Sequence, residues 1–527
     1  MTGETRGGGS AVTGEERRAA LLARLAALPP ERREALRALT LAGAATGRKA
    51  PVDGGAGGAG AQLPEAPGSA EAGRSWPLSF GQERLWFLNR FDPADTVYNT
   101  PWCVRLRGPV DAGALAEALT RVAGRHDVLR ARFRLDGDRP VQVVAPAGPV
   151  PLEVAEVAEV AGDPAPAVVE LVNRPFDLES DPPLRAALLR LDDGTSLLCL
   201  VLHHIVVDGW SLDVLMRELA ECYAARREGR GPVLEELPMQ YTDFAVEDRR
   251  RDRTARLEYW TRTLAGVPVL DLPADLPRPA RWTGRGGQEP LRVPGGTVAR
   301  LEEVARRERC TLFMALVAAY QAALGLLAGQ DDLCVGVPVA GRGRTELAPL
   351  IGYFSTTLVL RADLSGDPTF RELLGRTRVT LLRGLQHADA PFEQILGALR
   401  LPRDLSRPPL LQAMFNLHNM PKDDLLRTSM GDLEVEVYPV PAAGRTKAEV
   451  SVDLWRAGEG LGGVLDYGCD LFTEETARRF ARAFTGLLER AGTGPDLRLS
   501  ELGGADMDPA RTGDPTPDPR WKGDERC

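Results

Sequence analysis

The sequence predicts a mixed α/β protein with two domains or more. Three observations carry that reading. The chain has 527 residues, whereas compact domains usually hold about 100–200. Helical and strand patterns alternate from Trp76 to near residue 490, as in layered α/β architectures. Apolar residues make up 43% and charged residues 26%, close to ordinary globular usage.

The elements follow in order. Residues 15–41 read as two short amphipathic helices around Pro29 and Pro30, with stripes Leu21, Leu22, Leu25 and Leu36, Leu39, Leu41. The pair is too small to bury a core alone. Residues 1–49 are therefore a docking element or a helical leader packed on the main body. Residues 50–75 are rich in Gly, Ala and Pro and read as a flexible linker. They contain a GxGxxG match from Gly55 to Gly60. No strand precedes it and no helix follows, so it is not a phosphate cradle.

Residues 80–91 have a helical apolar rhythm. Residues 111–125 read as a helix with Leu115, Ala118, Leu119 and Val122 on one face. Residues 196–207 form an apolar, β-branched run that reads as a buried strand. A helix over 211–229 turns Leu212, Leu215, Leu219 and Cys222 inward. Residues 312–328 look helical and are too short an apolar run for a membrane span. Strands follow at 333–339 and 357–361, and a helix at 474–491. Pro and Gly near 271–287 join two halves, placed at 76–250 and 251–495. Residues 496–527 are polar and Pro-rich and read as a disordered tail.

Lys+Arg is 65 and Asp+Glu is 74, a net charge of −9. That balance excludes a nucleic-acid scaffold. Only Lys49, Lys422, Lys447 and Lys522 are lysines, so nearly all positive charge is Arg. The seven cysteines include no CxxC pair, which suggests neither a zinc site nor a disulfide framework. Reduced thiols and the lack of a signal peptide place the chain in a cytoplasm.

The chemistry centres on His203 and His204, two of only five histidines. They end the apolar run, and Asp208, Gly209 and Trp210 follow. Successive strand side chains point to opposite faces, so one ring packs inside while the other faces an open site. A histidine there is a candidate general base, since its pKa lies near neutrality. Asp208 is placed to orient a ring or pair with an Arg. Gly209 leaves room for a close approach. The competing reading is that the pair merely caps a core strand. Metal binding is disfavoured, because adjacent strand residues diverge and no third ligand is near.

His203-His204-Ile205-Val206-Val207-Asp208-Gly209 resembles the HHxxxDG motif of condensation domains of nonribosomal peptide synthetases, in the chloramphenicol-acetyltransferase-like superfamily. Six further segments resemble the family's motifs in its order. They are Leu78 to Leu88, Arg125 to Phe133, Tyr241 to Val246, Ile351 to Phe354, His387 to Glu393 and Arg403 to Gln412. The resemblance covers roughly residues 76–495. It implies two acyltransferase-like lobes in a V with a central tunnel. It also implies donor and acceptor carrier proteins, each bearing a thioester on a phosphopantetheine arm, and other synthetase subunits as partners. No cofactor or metal would be bound by the chain itself, which would act as a monomer.

In that family His204 would face the tunnel, as a base or by positioning the acceptor amine. Asp208 would be structural, paired with Arg342, or with Arg361 as runner-up. Arg84 and Arg132 read as surface or structural ion pairs, and Trp86 and Trp210 as core. The intact His pair and the first, second and fourth motifs look most like the subtype joining two L-residues. Ser355, Thr356, Ala388 and Glu247 depart from the family's usual residues. The implied reaction is amide formation on carrier-bound substrates. The alternatives are an ester- or amide-forming enzyme with a free acceptor, and a non-catalytic recruitment domain.

Overall fold

The structure is a computed structural model and describes residues 74–157, 164–402, 404–418, 430–440 and 444–503. The leader and nearly all of the linker expected before Arg74 lie outside the described residues.

The first half runs β1 (Ser75–Pro77), α1 (Phe80–Phe91), β2 (Asn99–Arg107), α2 (Ala112–Arg125), β3 (Ala131–Asp136), β4 (Arg139–Val144), β5 (Leu152–Val157), α3 (Ala165–Val172), β6 (Leu184–Leu191), β7 (Ser196–His203), α4 (Gly209–Arg227) and α5 (Tyr241–Arg250), and α6 (Thr254–Thr263) opens the second half, with Trp260 in its core. The second runs β8 (Gly286–Val293), α7 (Gly295–Arg307), α8 (Leu312–Ala328), β9 (Asp332–Val339), β10 (Thr356–Asp363), α9 (Phe370–Leu385), α10 (Phe392–Leu399), β11 (Ala413–His418), β12 (Glu434–Val437), β13 (Val450–Ala457), β14 (Gly460–Gly468), α11 (Glu474–Thr493) and α12 (Leu499–Leu502). This is the mixed α/β class expected.

Each half has its own sheet and core. The first sheet has the order β12-β2-β7-β6-β5, and the second β10-β9-β11-β13-β14-β8. A small sheet, β1-β4-β3, flanks the first half. β7 lies between β2 and β6 and is buried at every position, which is why it is apolar from Leu197 to Leu202. α8 is buried on almost all sides. The Thr377 hydroxyl donates to the Oε1 of its polar interruption, Gln321, at 2.9 Å. Thr311 caps its start, and Gly329 ends it at φ +63. Among the described residues no single helix is long and apolar enough to cross a membrane.

Three boundaries differ from expectation. First, the strand expected over 196–207 stops at His203, where a tight helical turn over His204–Val206 begins. Second, a division at residue 250 misses β12. That strand belongs to the second half in sequence but pairs antiparallel with β2, covering the edge of the first sheet. Third, residues 496–503 are folded: Leu499 and Leu502 in α12 are buried in the second core. Their i,i+3 spacing is apolar even though the surrounding composition is polar.

The halves also interlock. Leu347, Leu350, Ile351 and Phe354 follow β9 in sequence but are buried in the first half's core. This crossing loop brings the second half to the end of β7.

Candidate active site

The end of β7 sets the two histidine rings apart. His203 is buried, and its Nδ1 accepts the Ile205 N–H at 3.2 Å. Its ring meets Phe176 edge-on, 6.0 Å between centroids. His204 is half-buried. Its backbone N–H donates to the Tyr98 carbonyl at 2.8 Å. Its Nδ1 lies 2.6 Å from the Val207 carbonyl. A carbonyl only accepts, so Nδ1 carries the proton and Nε2 presents a lone pair. The two rings therefore hold opposite tautomers. Burial, with the charge of Lys447, pushes His204 down to about 3. Burial and then His204 do the same for His203. Both rings are neutral at pH 7. Tyr353 stands edge-on to His204, 5.0 Å between centroids.

Asp208 sits four residues on and is fully buried. It caps α4. Oδ1 accepts from the Ser211 N–H at 2.9 Å, the Ser211 hydroxyl at 2.7 Å and Arg342 Nη2 at 3.3 Å. Oδ2 accepts the N–H groups of Phe354 and Ser355 at 3.0 and 3.1 Å. Arg342 is equally buried. It also donates to Ser211 Oγ at 2.7 Å and to the carbonyls of Leu347 and Leu350, and stacks 4.1 Å above Phe354. Arg361 lies elsewhere, paired with Asp332 at 2.6 Å.

The other motifs are stitched to this knot. The Tyr241 hydroxyl donates to the Tyr353 carbonyl at 2.7 Å and lies 2.9 Å from the Ser79 hydroxyl. Gly352 is required here, since a Cβ would fall 1.9 Å from the Tyr241 ring. His126 accepts the Ile351 N–H and meets Glu218 at 2.8 Å. Arg84 pairs with Glu393 at 3.6 Å, tying the first motif to the sixth. Glu247 pairs with Arg344 at 2.7 Å. His387 stacks on Tyr259, and Gln412 accepts the Leu270 N–H at 3.3 Å, so the start of the sixth motif and the end of the last lie in the second half, away from the knot.

Several expectations are corrected. Trp210 is 42% exposed, anchored by its Nε1 on the Ala348 carbonyl at 2.9 Å, and is not core. Trp86 is buried. Arg132 makes no ion pair among the described residues and donates instead to the Ser180 carbonyl at 3.0 Å. No protein atom lies within 4 Å of a Cβ built on Gly209, so packing does not demand glycine there. Sequence reasoning passed over Ser211, Tyr353 and Lys447. Only Ser211 left a local signal, a hydroxyl three residues past a capping Asp.

The family model described as "Condensation domain" matches residues 73–507. The chain belongs to the condensation-domain family. It is thus an acyltransferase-type enzyme of the kind found in nonribosomal peptide synthetases. A 430-residue stretch is 40% identical to a linear gramicidin synthase of Brevibacillus parabrevis, covering 80% of this chain but 6% of that protein. The condensation domain thus spans a small part of that relative's length. The X-domain from teicoplanin biosynthesis is 31% identical with a TM-score of 0.75, covering 83% of this chain and 99% of that one. It is also solved in a complex with OxyB. SgcC5 from Streptomyces globisporus is 30% identical with a TM-score of 0.67, covering 80% of this chain and 100% of that one, and was solved with a naphthyl ethanediol.

Proposed function

We propose that this domain joins an acceptor amine to an acyl group held as a thioester on a carrier protein's phosphopantetheine arm. The acceptor arrives on a second carrier in the subtype that couples two L-residues. The observation that carries the reading is His204, with Nδ1 fixed on Val207 and Nε2 left as a lone pair on a half-open ring. A ring held near pKa 3 does not strip a proton from a free ammonium. It accepts a hydrogen bond from the neutral amine and so aims it. The N–C bond forms first, which makes the amine N–H acidic, and Nε2 then takes that proton. The C–S bond breaks and the proton passes to the departing thiolate. An amide and a free thiol result. Arg342 and Asp208 hold the turn and touch no reacting atom.

The test mixes two loaded carriers with the full chain and reads condensed product by mass spectrometry. Product from wild type and none from His204→Ala is expected. If no plausible carrier pair gives product, the reading fails.

A second reading replaces the acceptor carrier with a free amine or alcohol. It is favoured by the diol bound to SgcC5, a relative matched along its whole length. Turnover with a free acceptor, and none with a loaded one, selects it. The X-domain complex with OxyB supports a third reading, recruitment of a partner enzyme. Capture of such an enzyme, with no turnover by either route, selects that one.

A further inference from the structure

Lys447 is the one lysine among the described residues. Its neighbours are tied down on both halves. Arg445 pairs with Asp95 and donates to the Thr283 carbonyl. Thr446 is buried, and Glu449 pairs with Arg278 at 2.6 Å. Lys447 itself is exposed and makes no hydrogen bond or ion pair with any described residue. Its Nζ lies 5.2 Å from the centre of the Tyr98 ring.

That tyrosine connects it to the site. The Tyr98 carbonyl holds the His204 amide, and Arg84 donates to the Tyr98 hydroxyl at 3.4 Å. Two cations thus converge beside the histidine. Arg84 already has a carboxylate, Glu393, and Lys447 has none among the described residues. Asp453 on β13 and Asp466 on β14 act on Lys447 only as secondary influences, and His203 and His204 both feel its charge. Its side chain reaches solvent yet is surrounded by protein mass, and that surround, with the charge of Arg84, pushes the ammonium of Lys447 down to about 8. A cation held beside another cation favours an anion that joins the two.

We infer that Lys447 binds an anionic oxygen at the reacting end of the substrate, either a carboxylate carried by an acyl group or the oxyanion formed on the thioester carbonyl. The phosphodiester of a pantetheine arm does not meet the requirement, because it sits at the opposite end of the arm from the thioester. The inference rests on the condensation reading of His204.

The test measures kcat and KM for wild type, Lys447→Met and Lys447→Arg on the full chain. Donor and acceptor carriers are loaded in turn with aspartyl and asparaginyl groups, which differ in charge at nearly equal shape, alongside a productive neutral pair. A loss of about 10- to 100-fold is expected for Lys447→Met, as when a hydrogen bond to a charged group is removed, with recovery in Lys447→Arg. Loss in kcat with every pair identifies the oxyanion. A rise in KM confined to the aspartyl pairs identifies the carboxylate. Melting should change little, since Lys447 makes no hydrogen bond or ion pair with the described residues and meets the Tyr98 ring only at 5.2 Å. Wild-type kinetics for Lys447→Met with every pair would overturn the inference alone. If wild type itself turns over no pair, the condensation reading falls and takes this one with it.

Discussion

His204 and Asp208 lie four residues apart on one loop, yet their surroundings are opposites. Asp208 has no exposure and accepts five hydrogen bonds from the side chains and backbone of Ser211, Arg342, Phe354 and Ser355. His204 is half-open, and its ring has one hydrogen bond, from the nitrogen that faces away from the lone pair. The loop thus separates two tasks. One end fastens the two halves, and the other is left with an unsatisfied atom for a substrate. Loss of activity on mutation therefore has different meanings at the two positions.

The sharpest way to break that contrast is at Asp208. Asp208→Leu strands Arg342 and three backbone N–H groups without their acceptor, which should cost about 3–5 kcal/mol of stability. Chemical denaturation would show it, and an Asp208→Leu protein as stable as wild type would mean that the knot does not hold the halves together. A smaller effect is expected one residue out in the network. Ser211→Ala removes a hydroxyl shared by Asp208, Arg342 and Gly352, for a loss of about 1–3 kcal/mol. The Glu247–Arg344 pair is exposed, so Glu247→Gln should change stability by less than about 1 kcal/mol. A larger change would show that this departure from the family's usual residue has a structural role.

Acid sharpens the comparison from the histidine side. In the unfolded chain a histidine binds its proton near pH 6.5, whereas His203 and His204 in the fold are held to about 3. Between those values the unfolded state binds more protons, so stability falls as pH drops from about 6.5 toward 3. Equilibrium unfolding across that window should show a steeper decline for wild type than for His203→Asn. Equal slopes would mean that these rings titrate normally.

The sequence made parts of this legible and hid others for physical reasons. The span of α8 and the inward faces of α2 and α4 follow from apolar periodicity, which is local. The histidine pair and Asp208 stood out by residue type, but the choice of His204 over His203 and the pairing of Asp208 with Arg342 were legible only through resemblance to a family, since 134 residues separate the ion pair. The reach of β12 across to β2 was hidden because its four residues, Glu-Val-Glu-Val, specify a strand and no partner. Trp210 read as core by its size, but at the start of α4 it faces outward to the crossing loop. Lys447 was visible only as one of four lysines. Its position beside Tyr98 depends on two long-range clamps, at Arg445 and Glu449, that no local pattern encodes.

The central claim is that His204 acts on substrate while the fold stands without it. A single-turnover condensation assay on His204→Ala, with the melting curve taken on the same sample, tests this most directly. The account predicts a rate lower by about 10²–10⁴-fold with melting as in wild type. A wild-type rate, or a loss matched by an unfolded sample, would contradict it.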